Sequence, residues 1–202
     1  KKKKQFFVFT SALLCGILNS CTSQNTGFEK IEYASFKIIK SNGGQKDSMF
    51  IDLYSIIDNK GLARVLNDDD YHDTLKFYIH QLSKERLANI NTVFNPQKRL
   101  DTYFATKKLG DNEFYAGAYR LFLISYKDGQ KDSLCFVEPF MKEEFNSVYK
   151  MLDDIVFYGE DTKPCPSFKI PENFRKAALL SYEKSTYLPE IKTLPSFKME
   201  DQ

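Results

Sequence analysis

Apolar runs rich in β-branched and aromatic residues, each turned back on the next by Gly, Asn, Asp and Lys, constrain this chain more than any other feature of its sequence. "IEYASFKIIK" (31–40) and "SMFIDLYSII" (48–57) flank "SNGGQKD", and "GAYRLFLISY" (117–126) and "SLCFVEPF" (133–140) flank "KDGQKD". Such pairs read as antiparallel hairpins. "DNKG" (58–61) is a third turn, with Gly61 suited to a positive φ, and leads into a strand at "LARVL". Leu75, Phe77 and Ile79 alternate with Lys76, Tyr78 and His80, the period-two pattern of a half-buried strand, with His80 expected on its polar surface side.

Two stretches have a helical period instead. Ser83 is a candidate N-cap with Glu85 in the first turn, and Leu87, Ile90 and Phe94 fall on one face before Asn95-Pro96 ends the helix. Phe145, Val148, Tyr149, Leu152, Ile155 and Val156 form a second apolar stripe. The expected fold class is therefore α+β: an antiparallel sheet of five to seven strands with two helices on one face. "GQKDS" occurs at Gly44–Ser48 and again at Gly129–Ser133, each beside a hairpin turn with a helix downstream, which suggests a duplicated hairpin-plus-helix unit. From Gly159 onward prolines interrupt the chain, and Phe174, Ala177, Ala178 and Tyr182 suit one short helix within a C-terminal wrapping segment.

The first 21 residues have a different character. Lys1 to Lys4 precede an uncharged run, Phe6 to Leu18, of 13 residues. A membrane-spanning helix needs about 20, so the run reads as the apolar centre of a secretory signal. It ends in Leu18-Asn19-Ser20-Cys21, which resembles a bacterial lipobox. That resemblance implies cleavage before Cys21, a diacylglycerol on its thiol and an acylated amine, hence a covalent lipid anchor. Thr22 stands where an inner-membrane retention Asp would be, so the resemblance implies the outer membrane, and the lack of an early acidic cluster favours its periplasmic side. The expected domains are a cleaved signal peptide (1–20), a lipidated tether (21–29), the α+β domain (30–158) and the C-terminal wrapping segment (159–202). In lipobox, Lys- and Asn-rich composition and strand-then-helix order, the chain resembles the small lipoproteins of Bacteroidetes-type bacteria. That resemblance assigns no residue beyond Cys21.

Removing the signal takes away Lys1 to Lys4 and no acid, leaving 25 basic against 27 acidic residues. No basic patch remains to suggest a nucleic-acid partner. The chain has no Trp, a residue that sugar-binding platforms often use. Cys135 and Cys165 are the candidate disulfide pair, with a buried free thiol and a loop thiol as the alternative. The densest set of metal-ligand side chains is "NDDDYHD" (67–73), with Asp68, Asp70, His72 and Asp73 as candidate ligands for a divalent cation. An EF-hand spacing fails there: the sixth position from Asp68 is Asp73 rather than Gly, and the twelfth is Ile79 rather than Glu. Glu143, Glu144, Asp153 and Asp154 read as the solvated face of the second helix rather than paired catalytic acids. No HExxH, G-x-S-x-G or P-loop pattern occurs.

Two expectations follow: a non-catalytic cell-envelope lipoprotein that binds another envelope protein, and, as the alternative, a metal-dependent envelope hydrolase built on loop 67–73. The substitution Cys21→Ala is expected to abolish incorporation of alkyne-tagged palmitate and to shift the protein from the membrane to the soluble envelope fraction. Labelling that survives it excludes Cys21 as the lipidated residue.

Overall fold

The computed structural model describes residues 27–39, 48–69, 74–105, 115, 117–157, 162–185 and 188–189. Seven strands form one antiparallel sheet: β1 (Phe28–Ile39), β2 (Ser48–Asp58), β3 (Leu62–Asp69), β4 (Thr74–Gln81), β5 (Tyr119–Tyr126), β6 (Lys131–Phe136) and β7 (Lys163–Pro164). Their spatial order is β6-β5-β1-β2-β3-β4-β7. Three helices, α1 (Lys84–Val93), α2 (Glu143–Phe157) and α3 (Glu172–Lys184), complete an α+β fold. Cys21, Asp70, His72, Asp73 and residues 44–47 of the first GQKDS copy lie outside the described residues.

Local chemistry sets the turns. Asp58 Oδ1 accepts from the backbone N–H of Lys60 and of Leu62, both at 2.9 Å, and Gly61 closes the turn at φ +82°. The β5–β6 loop closes with Tyr126 N–H donating to Gln130 O and Gly129 N–H to Tyr126 O, with Gly129 at φ +88°. This is a three-residue hairpin loop whose last residue must be left-handed. β6 accordingly starts at Lys131, inside the second GQKDS copy, so that only its first residues belong to the turn. The strand ends at Phe136 rather than 140, because Pro139 sits in a short 3-10 turn, Glu138–Phe140. β3 is likewise longer than "LARVL" and takes in Asp68 and Asp69, which pair with Leu75 and Thr74. The helix starting after Ser83 forms as expected, and the Ser83 side chain accepts from Arg86 N–H.

Two clusters lie on opposite faces of the sheet. On the first face, Tyr33, Leu53, Val65, Phe122 and Phe136 pack with Ile90 and Phe94 of the α1 end and with Phe145, Tyr149 and Leu152 of α2. On the second, Ala34, Phe36, Tyr54, Leu121 and Cys135 pack with Phe174 and Ala178 of α3. α1 and α2 thus share one face, while the segment after Gly159 adds a strand to the sheet edge and a helix to the other face. A β-bulge opposite Ser35 and Phe36 leaves Asp52 as the extra residue of β2.

Two readings of β4 change. His80 is buried, opposite Ala63 on the α1–α2 face, whereas Leu75 on the other side is 55% exposed. β4 lies near the end of the sheet, where residues 165–170 supply the cover: Phe168 reaches Phe77, at 5.5 Å between ring centroids, while the described residues leave Leu75 open.

Phe122 is the hub of the first face. It stacks on Tyr33 at 4.8 Å and meets Phe94, Phe136 and Phe145 at 4.9, 5.8 and 6.0 Å. Phe122→Ala is expected to cost about 4 kcal/mol, since four rings would border the void. Urea titration should show a lower midpoint at unchanged slope, and a loss below about 1 kcal/mol would contradict this packing.

Candidate functional site

Cys135 and Cys165 are both free, Cys135 in β6 and Cys165 just after β7. These strands are the two opposite ends of the sheet, six spacings of about 4.8 Å apart, so the thiols stand roughly 29 Å from each other. The disulfide expectation is corrected to the buried thiol and the loop thiol. Burial pushes the Cys135 thiol up to about 12, which leaves it an inert packing group rather than a nucleophile.

Among the described residues, no three His, Cys, Asp or Glu side chains gather as a metal site would require. Of the four candidate ligands, the structure describes only the backbone of Asp68, within the β3–β4 ladder. Also among the described residues, no helix is long and apolar enough to cross a membrane.

One charged cluster escaped the sequence reading. Arg120 projects from β5 between the sheet and α2. Its Nε donates to Tyr149 Oη at 2.8 Å, one terminal nitrogen donates to Ser35 Oγ, and the other lies 3.8 Å from Asp153 Oδ2. Tyr33 donates to Asp153 Oδ1 at 2.8 Å and Tyr149 donates to Oδ2 at 3.3 Å. Asp153 is therefore half-buried and engaged, which corrects its reading as part of a solvated face; Glu143, Glu144 and Asp154 are exposed. Burial raises the Asp153 carboxyl above its ordinary range, against the lowering by Arg120 and by the two tyrosine hydroxyls. Burial also pushes Tyr149 up to about 12 and Tyr33 well above its usual value, so both keep their protons as donors. Burial opposes the Arg120 charge, but the Asp153 carboxylate and the Tyr149 hydroxyl that accepts from Nε outweigh it. The carboxylate has both oxygens engaged and neither tyrosine ionises near neutrality, so the cluster clamps α2 to the sheet and offers no free base or nucleophile. Two signals pointed to it: a lone Arg inside an apolar strand, which burial obliges to pair, and Asp153 one turn beyond Tyr149 at the margin of the helical stripe.

A concave feature lies beside the β6 edge. A groove of about 650 Å³ runs between β6, the short turn Leu100–Tyr103 and the end of α3. Lys131, Asp132 and Ser133 of the second GQKDS copy form its floor, with Arg99 and Asp101 on one wall and Leu180 and Lys184 on the other. Leu180 is 49% exposed. It falls off the Phe174–Ala178–Tyr182 face, and a Leu out of phase with a helix's apolar stripe was the signal available in the sequence. A smaller groove of about 440 Å³ lies between α1 and α2, bordered by Asn89, Tyr103, Glu144 and Met151.

The chain matches no protein-family model, no curated protein and no solved structure.

The clamp has a pH signature. With its folded pKa raised, Asp153 holds its proton to higher pH in the native state than in the unfolded chain. The native state then binds more protons between the two values, and stability falls as pH rises through that window. Urea melts from about pH 3 to 7 should show the stability margin of the parent over Asp153→Asn largest at the acidic end and shrinking upward. Asp153→Ala, which strips Arg120 of its carboxylate, should cost on the order of 2 kcal/mol at neutral pH. A pH-independent margin would refute the assignment.

Proposed function

We propose that this chain is a non-catalytic lipoprotein of the cell envelope, anchored through lipid on Cys21 at the periplasmic side of the outer membrane, where it binds another envelope protein. The observation that carries the reading is the lipobox ending at Cys21. A lipid anchor has a use when location matters, and two or more acyl chains hold a protein stably at a surface. The architecture adds support of a different kind. Both faces of the central strands are covered by helices, so among the described residues the β6 edge, its groove and the exposed turns are the parts of the sheet open to a partner. The net charge of the mature chain and its lack of a basic patch favour a protein partner over nucleic acid.

Two finer points of architecture belong to this reading. The hairpin-plus-helix unit is used twice, supported by the GQKDS recurrence and by α1 and α2 sharing one face. The Pro-rich segment 159–202 wraps the domain, supported by β7 extending the sheet edge beside β4 and by α3 packing on the face opposite α1 and α2.

In-cell photo-crosslinking of the lipidated protein tests the reading, with probes at Gln130, Leu180 and Asp70 and a Cys21→Ala control. One dominant protein adduct that requires the anchor is the expected result. No adduct at any probe, combined with a melting-temperature shift at millimolar calcium or zinc, would sink it in favour of the metal-dependent hydrolase on residues 67–73.

A further inference from the structure

We infer that the outer edge of β6 is a strand-docking site whose ligand is an extended peptide with carboxylates on its α3-facing side. The inference rests on the binding reading above and gives it an address and a ligand chemistry.

β6 is the end strand of the sheet and pairs only with β5 among the described residues. In an antiparallel ladder alternate residues turn their backbone groups to the neighbour, and those between turn them outward. Tyr126 bonds Gln130, which places the residues opposite Ile124 and Phe122, Asp132 and Leu134, in the β5 ladder. Lys131, Ser133 and Cys135 therefore present their N–H and C=O groups to the groove. Two side-chain contacts agree with this direction. The N–H of Ser133 donates to Asp132 Oδ1 at 2.7 Å, and the Cys135 carbonyl accepts from Ser185 Oγ at 3.3 Å. These are local, replaceable stand-ins for the bonds of a further strand.

The side chains specify the ligand. Cys135 belongs to the α3 face and Leu134 and Phe136 to the α1–α2 face, so alternation puts Lys131 and Ser133 on the α3 side of the edge. Of the cations lining the groove, Arg99 bonds Asp101 at 2.5 Å and Lys98 lies 3.7 Å from Glu144 and over the Tyr103 ring. Lys131 and Lys184 have no ion partner among the described residues, and both line the groove with Leu180. The α3 side thus offers two unmatched positive charges and an exposed Leu. The opposite side carries Asp132 and Asp101, which repel a carboxylate there. A peptide laid along β6 meets these requirements with acids toward α3 and apolar residues toward Leu100 and Leu134. Backbone pairing supplies affinity in this mode, and alternate side chains supply selection.

Fluorescence anisotropy on the full lipidated chain in detergent, with a short labelled peptide of alternating Val and Glu, tests this. Saturable binding is expected, with no binding of the same peptide N-methylated on alternate amides and at least tenfold weaker binding of a Val–Lys peptide. Ser133→Pro should abolish binding: it removes the central outward N–H while sparing the β5 ladder. The double substitution Lys131→Glu, Lys184→Glu leaves the backbone untouched and should weaken binding on the order of tenfold. Equal binding of the N-methylated or Val–Lys peptide, or none by Val–Glu, overturns the inference. Failure here with an anchor-dependent photo-adduct elsewhere would leave the binding reading standing, whereas failure of both would remove it.

Discussion

The central strands have no solvent face to spare. Tyr33, Ala34, Ser35 and Phe36 of β1 are all fully buried, as are Leu53 and Tyr54 of β2 and Leu121 and Phe122 of β5. Antiparallel sheets commonly leave one face to water. Here the alternation in the middle of the sheet is apolar on both sides, and each side needs a cover. α1 and α2 supply one and α3 the other, which makes the C-terminal third part of the core. Without α3, Phe36, Tyr54 and Tyr119 would lose Phe174 and Tyr182, whose rings meet theirs edge-on at 4.7 to 6.1 Å between centroids. Once both faces are closed, an incoming chain can meet the described part of the sheet at its edges and turns.

That division also explains what could be read from the sequence. Turns and caps are short-range chemistry, so Gly61 and Ser83 were legible one residue at a time, as were the KDGQKD turn and the α2 stripe. The sheet order was not. β1 sits between β2 and β5, and the β1–β5 pairing joins residues about ninety positions apart through no local signal. The role of α3 was hidden for the same reason: its stripe is short, and its partners lie on strands whose second face could not be recognised as core. The misreading of His80 and Leu75 came from reading β4 as if its apolar side must face the main core. The register on β3 puts His80 opposite Ala63, under α1 and α2, and turns Leu75 the other way. For the candidate site the balance was poorer still. Lys131 to Ser133 drew notice as a repeat rather than as a sheet edge, and Arg120 and Asp153 went unpaired because only the fold brings strand and helix together.

Arg120 shows how the two layers are tied. A guanidinium inside a sandwiched strand is costly unless every nearby dipole is turned to it. Ser35, Tyr149 and Asp153 do this, and Tyr33 holds the second carboxylate oxygen, so strands β1 and β5 and helix α2 meet in one network. Apolar attraction by itself is non-directional, whereas hydrogen bonds have a required geometry. The network has one register in which all its bonds are made. It therefore specifies where α2 sits more than how tightly it is held, and α2 in turn fixes the side of the molecule opposite α3.

A sheet edge whose outward groups are met by Asp132 and Ser185 is a weak docking surface in dilute solution, because any incoming strand must displace those contacts first. Anchorage changes the balance. On the proposed reading, with lipid on Cys21, a partner held in the same leaflet is met at an effective concentration on the order of millimolar. Affinity that would be ineffective for a freely diffusing protein is then enough. The same edge, charged by Lys131 and Asp132 and partly self-bonded, resists pairing with other copies of itself. On that reading a guarded edge on an anchored domain favours a partner that shares its surface over whatever passes in solution, and the proposed anchor and the guard act together as one device for selectivity.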